Sequence, residues 1–173
     1  MNDYIAALLF FLPAGIANMS PVLINKVPYI NQWKTPLDLG KSYRGKRIFG
    51  DNKTWRGLVM GTLLGGLTGL VIGALNHNTV GVLHPFWAGC VLGAGALLGD
   101  AIESFFKRQR GVAPGKPWFP FDQIDYIIGG LLAIYIFMQP QIWVMVTIFV
   151  VYFGLHLLLA YIGYLLGFKK TPI

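Results

Sequence analysis

Four polar residues end one of the most apolar stretches of the chain. In the segment GDAIESFFKR, which spans Gly99 to Arg108, they follow the spacing i, i+3, i+4 and i+7. If the segment is helical, they share one face, which would carry two carboxylates, a hydroxyl and an ammonium group. The four residues are Asp100, Glu103, Ser104 and Lys107. Such a face could bind a metal ion and a phosphate, although each acid could also simply pair with a cation on its own helix.

A second acidic pair follows a segment that turns the chain back. The residues GVAPGKPWFP are rich in glycine and proline, which mark turns. The DQID that follows places Asp122 and Asp125 one helical turn apart. We therefore expect both acidic pairs at one membrane surface, where four carboxylates need cations to neutralise them. Oxygen ligands at this density suit Mg²⁺, although Asp122 could instead cap the N-terminus of a helix.

A basic segment precedes another apolar stretch. KSYRGKRIFGDNKTWRG, from Lys41 to Gly57, holds six basic residues among hydroxyl, amide and glycine residues. Asn52 or Thr54 could cap the helix that follows, which would place Lys53 at a positive helix end. Helix amides with Lys and Arg form a natural phosphate site, although a solvated juxtamembrane stretch is the alternative. Together with the acids, this segment favours phosphoryl or nucleotidyl transfer at a membrane.

The elements that must position these residues are membrane helices. Of the 173 residues, 55% are hydrophobic and only 12% are charged, and the mean hydropathy is +0.58. Several apolar runs approach the ~20 residues that cross a bilayer core, and they are continuous, which argues against a transmembrane barrel. We predict an all-α, polytopic membrane protein with one catalytic domain, residues 1–173, and functional loops at about 25–56 and 100–122. The five predicted spans are Tyr4–Ile24, Gly57–Leu75, Val82–Gly99, Ile124–Met138 and Ile142–Phe168.

The basic residues predict the orientation. All 14 Lys and Arg residues fall in the loops after spans one, three and five. The positive-inside rule therefore predicts an external N-terminus and a multi-pass protein of the cell membrane with its active site on the cytoplasmic side. The same bias explains the net charge of +7, so we expect no nucleic-acid partner. The single cysteine, Cys90, lies within a span and excludes a disulfide framework.

Glycines recur at four-residue steps in spans two and three. Such spacing forms a smooth face along which another helix can approach closely, and a groove for a lipid chain is the alternative. These glycines are Gly57, Gly61, Gly65, Gly69 and Gly73, followed by Gly89, Gly93, Gly95 and Gly99.

These motifs resemble the membrane CTP-dependent cytidylyltransferases of the CDP-diacylglycerol synthase superfamily. That family has a Ser-x-x-Lys-Arg helix, matched here from Ser104 to Arg108, and then an Asp-x-x-Asp pair, matched by DQID. Its second motif, a Lys-Thr pair, two further residues and a Gly, is matched by NKTWRG. The bacterial-type Lys-Asp and His-Gly-Gly elements are missing, and Gln123 stands where that pattern has Arg. With its short length, the chain is similar to the compact five-span branch, the CDP-archaeol synthases.

The resemblance implies a reaction in which CTP and a lipid phosphate monoester, unsaturated archaetidic acid, give CDP-archaeol and pyrophosphate. The implied partners are CTP, the lipid phosphate and membrane lipids, with Mg²⁺ as cofactor and a possible homodimer. The implied metal ligands are Asp100, Asp122 and Asp125, with Glu103 as a further candidate. The implied catalytic residues are the same three aspartates and Lys107. The implied nucleotide-binding residues are Asn52, Lys53, Thr54, Arg56, Ser104 and Arg108, with Lys46 and Arg47 as additional candidates.

Two other functions remain as alternatives. A carrier or channel for an anionic metabolite would need charges deep within several spans and some internal duplication, and the sequence has neither. A CDP-alcohol phosphotransferase would need a glycine after its Asp-x-x-Asp and further spaced aspartates. Here Tyr126 follows Asp125, and no acidic residue occurs later in the chain.

Overall fold

The computed structural model describes residues 3–25, 27–75 and 83–167. It contains five helices that are long and apolar enough to cross a membrane, which confirms the predicted fold class. Helix α3 continues past its apolar part, so that GDAIESFFKR is helical as expected. The helices are α1 Asp3–Ile24, α2 Trp55–Leu75, α3 Pro85–Gln109, α4 Phe121–Met138 and α5 Ile142–Leu165.

The connection between α1 and α2 contains small elements that the sequence did not predict. A 3₁₀ turn spans Ile30–Gln32, and two short strands, β1 Ser42–Tyr43 and β2 Lys46–Arg47, pair antiparallel. Arg44 and Gly45 connect the strands with positive φ values of 52° and 75°, which a tight hairpin requires. Some residues used to predict the orientation lie outside the described residues; they are Lys26, the turn at 76–81, Lys169 and Lys170.

Helix α3 lies at the centre of the helical bundle. It packs against α1, α2 and α4, whereas α5 contacts mainly α4 and α1. The core contains Phe11, Leu92, Ile127 and Ile134, all fully buried. Because lipid tails are as apolar as these side chains, close van der Waals packing is what holds such helices together.

Glycines set the spacing on both sides of α3. A Cβ on Gly65 of α2 would lie 2.7 Å from the carbonyl oxygen of Gly89, and one on Gly95 of α3 would lie 2.6 Å from that of Gly129. Gly99 faces the backbone carbonyl of Asp125 even more closely. The predicted close approach of another helix to the glycine face of α2 is therefore confirmed, and the same device joins α3 to α4.

Helix α5 is attached more loosely than the others. Among its described residues, the buried ones are Ile148, Tyr152 and Ala160. Tyr152 donates a hydrogen bond of 2.7 Å to the carbonyl oxygen of Leu8 in α1, and its ring packs edge-on against Phe11. Most of the remaining apolar surface of α5 is exposed and faces outward from the bundle.

Candidate active site

Three carboxylates converge where α3 meets α4. Asp100 and Glu103 lie one turn apart on α3, and Asp125 lies in the second turn of α4. One oxygen atom from each of the three lies within 4.8 Å of the others. The glycine contact at Gly99 brings the backbones close enough for this. Among the residues that the structure describes, this carboxylate triad is the one group of three or more acids, histidines or cysteines able to hold a metal ion.

Two lysines partly neutralise the carboxylate triad. The Nζ of Lys53 lies 2.6 Å from Oδ2 of Asp100, and the Nζ of Lys107 lies 3.4 Å from Oε1 of Glu103. Glu103 is only 7% exposed, and within the described chain its Oε1 has no well-aligned hydrogen-bond donor. A buried carboxylate oxygen with this environment has a lone pair free for a cation.

Asp122 lies beside the carboxylate triad. Its Oδ1 accepts a hydrogen bond from the ammonium group of Lys107, and its Oδ2 accepts one of 2.8 Å from the backbone N–H of Trp118. The N-cap of α4 is Pro120, so Asp122 is not the capping residue. Asp122 thus connects Lys107 to the loop before α4, and its assignment as a metal ligand stays a prediction.

The NKTWRG segment reaches the carboxylate triad from the other side. Thr54 Oγ1 accepts a hydrogen bond of 3.1 Å from the N–H of Gly57, which confirms Thr54 as a cap of α2. Asn52, Lys53 and Thr54 line a cavity of about 250 Å³ that Asp100 also lines. The predicted phosphate-binding segment and Asp100 of the α3 acidic pair therefore share one cavity.

Ser104 and Arg108 lie on the same helix as the acids. Ser104 is buried, and Arg108 extends towards the basic loop, where its side chain passes about 3.8 Å from a Cβ position at Gly50. The Nε of Arg108 is buried and has no hydrogen-bond partner in the described part of the chain. A buried guanidinium nitrogen with an unused donor, beside the basic loop, fits an anionic ligand.

Three further predicted nucleotide-binding residues contact protein groups outside the carboxylate triad. Arg56 is buried and donates hydrogen bonds to the side chain of Asn25 and, at 2.9 Å, to that of Asn31. Lys46 donates to the carbonyl oxygen of Gln109 at 2.7 Å. Arg47 pairs with two aspartates of its own loop. These residues hold the α1–α2 connection in place against α2 and the end of α3.

A family model for CDP-archaeol synthase, of the CarS-like type, matches residues 1–173 of the chain. The chain belongs to the CDP-archaeol synthase family. The resemblance inferred from its motifs is thereby confirmed, and the chain is a membrane cytidylyltransferase that depends on CTP.

Relatives of the CDP-archaeol synthase family match over nearly the full chain. A CDP-archaeol synthase from Methanopyrus kandleri is 39% identical and covers 94% of this chain and 90% of its own length. One from Pyrobaculum aerophilum is 35% identical and covers 94% of this chain and 96% of its own. A solved structure described as an intramembrane enzyme for archaeal membrane lipids biosynthesis is 30% identical, with a TM-score of 0.74 over 88% of this chain and 90% of that one.

Asp38 is a residue of this family member that sequence reasoning missed. Its carboxylate accepts hydrogen bonds from Arg47 and from the backbone N–H groups of Gly40, Phe49 and Gly50. Burial opposes its ionisation, but these donors prevail and lower the pKa of Asp38 to about 2. The Asp-Leu-Gly sequence is typical of a turn, which was the available signal. The distant partners at 47–50 left no pattern in the sequence.

Replacing Asp38 by asparagine is expected to destabilise the loop by about 2 kcal/mol, because a charge-assisted hydrogen bond is lost and Arg47 loses its buried partner. Because the folded-state pKa is depressed, the carboxylate stabilises the wild type above about pH 4, its unfolded pKa. This stabilisation disappears as the pH falls through about 2. Thermal unfolding in detergent across this pH range measures both effects.

Asp51→Asn is the matched control, because Asp51 pairs with the same arginine from a side chain that is 83% exposed. Equal melting temperatures for the two variants would contradict the structural role of Asp38.

Proposed function

We propose that this membrane cytidylyltransferase transfers CMP from CTP to unsaturated archaetidic acid, giving CDP-archaeol and pyrophosphate. The observation that carries the proposal is the position of Asp100. It belongs to the carboxylate triad and also lines the cavity of Asn52, Lys53 and Thr54. A nucleotide bound in that cavity would therefore have its phosphates beside the metal-binding oxygens.

We propose Mg²⁺ as the metal, held by Asp100, Glu103 and Asp125, with Asp122 next to them. The residues fit this ion, because the donors are carboxylate oxygens and Glu103 Oε1 is buried without an aligned donor among the described residues. A few carboxylates with phosphate oxygens and water are the usual magnesium environment. When bound, the ion would stabilise the charge that develops on the phosphates and on the leaving pyrophosphate.

The main difficulty of this reaction is to bring two anions together, and proton transfer matters less. An oxygen of the lipid phosphate attacks the α-phosphorus of CTP and forms a new P–O bond. The bond from the α-phosphorus to the oxygen that bridges to the β-phosphate breaks, and its electron pair leaves with pyrophosphate. Because the attacking oxygen is already anionic, no general base is needed, and catalysis depends on positioning and on charge stabilisation.

The basic residues divide into two groups by the partners that they contact. Lys53 and Lys107 are ion-paired with carboxylates of the triad, and Arg108 has a buried Nε without a partner among the described residues. We propose that these three residues bind the phosphates of CTP, together with Asn52, Thr54 and Ser104. Lys46, Arg47 and Arg56 instead bind groups outside the carboxylate triad. Their contribution to CTP binding is to hold the loop that carries the phosphate-binding segment.

We further propose that the site faces the cytoplasm. The start of α2, the end of α3 and the start of α4 meet at the same end of the bundle, as the contacts of Lys53 with Asp100 and of Gly99 with Asp125 require. The Lys and Arg residues of the described chain lie at this end, which the positive-inside rule assigns to the cytoplasm. One catalytic domain over residues 1–173 is part of the proposal, and homodimerisation stays a prediction.

An assay with purified protein, radiolabelled CTP and Mg²⁺ tests the proposed reaction. The lipid panel contains phosphate monoesters of saturated and unsaturated dialkyl glycerols and of diacyl glycerols. We expect labelled CDP-lipid with the unsaturated dialkyl substrate, together with one equivalent of pyrophosphate. Labelled CTP taken up into vesicles without any CDP-lipid from the panel would instead favour the carrier function.

Replacing Lys53 by methionine is expected to lower kcat/KM for CTP by about a hundredfold, because a charge-assisted contact to a phosphate is lost in a partly water-excluded site. Methionine keeps most of the aliphatic stem of lysine, so the substitution removes mainly the charge. Steady-state kinetics at varied CTP concentration measures the effect. Lys116→Met, at an exposed loop position, is the control and should behave as wild type. A Lys53→Met enzyme with unchanged kcat/KM would remove this lysine from the CTP site.

A further inference from the structure

The turn of the β1–β2 hairpin holds an arginine in an unfavourable backbone conformation. Arg44 has a φ of 52°, in the left-handed region that residues other than glycine, asparagine and aspartate rarely adopt. Two-residue hairpin turns therefore prefer Asn-Gly or Asp-Gly, whereas this one is Arg44-Gly45. A side chain that is kept at a strained position indicates a role at that position.

Two contacts hold the hairpin against the last turns of α3. The ring of Tyr43 in β1 lies 6.1 Å from the ring of Phe105, measured between their centres. The Nζ of Lys46 in β2 donates a hydrogen bond of 2.7 Å to the carbonyl oxygen of Gln109. The position of the hairpin relative to the bilayer is therefore set by this part of α3.

This part of α3 still presents apolar side chains to the outside of the bundle. Ile102 is 56% exposed and Phe106 is 50% exposed, so the helix remains in contact with the lipid here. Phe105, which contacts the hairpin, lies within about 5 Å of Ile102 along the helix axis. The polar head-group layer is about 5 to 8 Å deep. The hairpin turn thus lies at the depth of the lipid head groups.

The hairpin carries four positive charges and no acidic residue, in the sequence KSYRGKR from Lys41 to Arg47. Lys46 and Arg47 have the protein partners described above. Lys41 and Arg44 are exposed, and neither forms an ion pair with any residue that the structure describes. The guanidinium carbon of Arg44 lies 5.4 Å from the centre of the Tyr43 ring. An arginine beside an exposed tyrosine is suited to the membrane interface, where its planar donors match phosphate oxygens.

We infer that Lys41 and Arg44 at the hairpin turn bind the phosphate groups of anionic phospholipids in the surrounding leaflet. Basic residues next to a membrane surface are attracted to anionic lipids in this way. The contact is separate from the proposed reaction. Neither residue is among those that line the cavity of Asn52, Lys53 and Thr54, and the phosphates of structural phospholipids are diesters rather than the monoester that the reaction uses.

Head-group binding at the hairpin would also steady the phosphate-binding segment. Arg47 of β2 pairs with the buried carboxylate of Asp38. The N–H of Leu37, the residue before Asp38, donates a hydrogen bond of 2.7 Å to the carbonyl oxygen of Lys53. The hairpin and the backbone at Lys53 are thus joined through two neighbouring residues, and a lipid that fixes one restrains the other.

Melting temperatures in detergent micelles that contain phosphatidylglycerol or phosphatidylcholine provide the test. Phosphatidylglycerol is anionic and a phosphodiester, so the measurement does not depend on turnover. It should stabilise the wild type relative to phosphatidylcholine. Arg44→Asn should lose about 2 to 4 °C of this stabilisation, the effect of one basic residue at an anionic surface. In phosphatidylcholine the same variant should melt about 2 °C above the wild type, because asparagine adopts a positive φ more readily.

Two further variants separate the hairpin site from net charge. Arg44→Lys keeps the positive charge and should retain most of the stabilisation by phosphatidylglycerol. Lys116→Gln removes one charge from another exposed loop position and should lose less than about 1 °C. Equal losses in Arg44→Asn and Lys116→Gln would mean that only net charge attracts the lipid, and they would overturn the inference. A gain in melting temperature that is the same for Arg44→Asn in both lipids would also overturn it, because the turn would then not contact the head groups.

Discussion

Replacing Asp125 by asparagine is expected to lower kcat about a thousandfold, since about 4 kcal/mol of charge stabilisation corresponds to three powers of ten. Asp125 contributes, from α4, one of the three oxygens proposed to bind the metal, and the other two come from α3. Its Oδ1 also accepts a hydrogen bond of 2.6 Å from the N–H of Tyr126. An asparagine oxygen can keep that bond, so the variant should remain folded.

The Asp125→Asn variant is tested by measuring its turnover at varied Mg²⁺ concentration and its melting temperature. We expect an unchanged melting temperature in the absence of Mg²⁺ and a loss of the stabilisation that Mg²⁺ gives to the wild type. The second readout does not depend on catalysis. Near-normal turnover and an undiminished effect of Mg²⁺ would exclude Asp125 as a metal ligand.

Asp122→Asn separates two roles for the second aspartate of DQID. As a metal ligand, as the resemblance implies, its loss should abolish Mg²⁺-dependent turnover in a folded protein. The hydrogen bonds that Asp122 accepts from Lys107 and Trp118 give it a second, positioning role, because asparagine would bind the ammonium group of Lys107 more weakly. Loss of activity together with a shift in the Mg²⁺ concentration that gives half-maximal turnover would assign Asp122 to the metal. A raised KM for CTP with the same half-maximal Mg²⁺ concentration would assign it to the positioning of Lys107.

Replacing Gly99 by alanine is expected to lower kcat about a hundredfold, although residue 99 contributes no functional group to the site. The added methyl group would meet the backbone carbonyl of Asp125, which cannot move aside as a flexible side chain can. Helices α3 and α4 must then separate, and a displacement of about 1 Å between reacting groups can cost a hundredfold in rate. Overpacking of this kind should also destabilise the fold by about 1 to 3 kcal/mol.

Gly154→Ala is the matched control for Gly99→Ala. It makes the same change within a helix, and a Cβ at position 154 has no heavy atom within 4 Å. The control should retain full activity, and the better helix propensity of alanine should leave its melting temperature equal or slightly higher. Activity and melting temperature of both variants should be measured in the same detergent. An active, stable Gly99→Ala enzyme would show that the α3–α4 distance is not critical.

The sequence predicted features that depend on local periodicity. Continuous apolar runs located all five helices, and the spacing of Asp100 and Glu103 correctly placed both on one face of α3. The glycine steps of α2 predicted close packing because a repeated small residue has one physical consequence in a membrane. A cap before α2 was predicted in the same way from the position of Asn52 and Thr54 before an apolar run, and the structure selects Thr54.

Partner choice between distant segments could not be read from the sequence. Arg47 and Arg56 resembled free cations for a nucleotide, but Asp38 and the pair Asn25 and Asn31 bind them. A basic residue next to a polar loop has many possible partners, and only the folded chain selects one. The grouping of Glu103 with Asp100 and Asp125 likewise depends on the distance between α3 and α4, which Gly99 sets.

The loose attachment of α5 has a consequence for how the sequence can change over time. Three of its described residues are buried, and Val144, Met145, Phe149 and Phe153 also pack against the core. Its exposed positions face outward, where any apolar side chain serves equally well. Random hydrophobic replacement at these exposed positions of α5 should therefore be nearly neutral. The same replacements along α3 should be removed by selection. Mutational drift in this protein is thus expected to concentrate in its last helix.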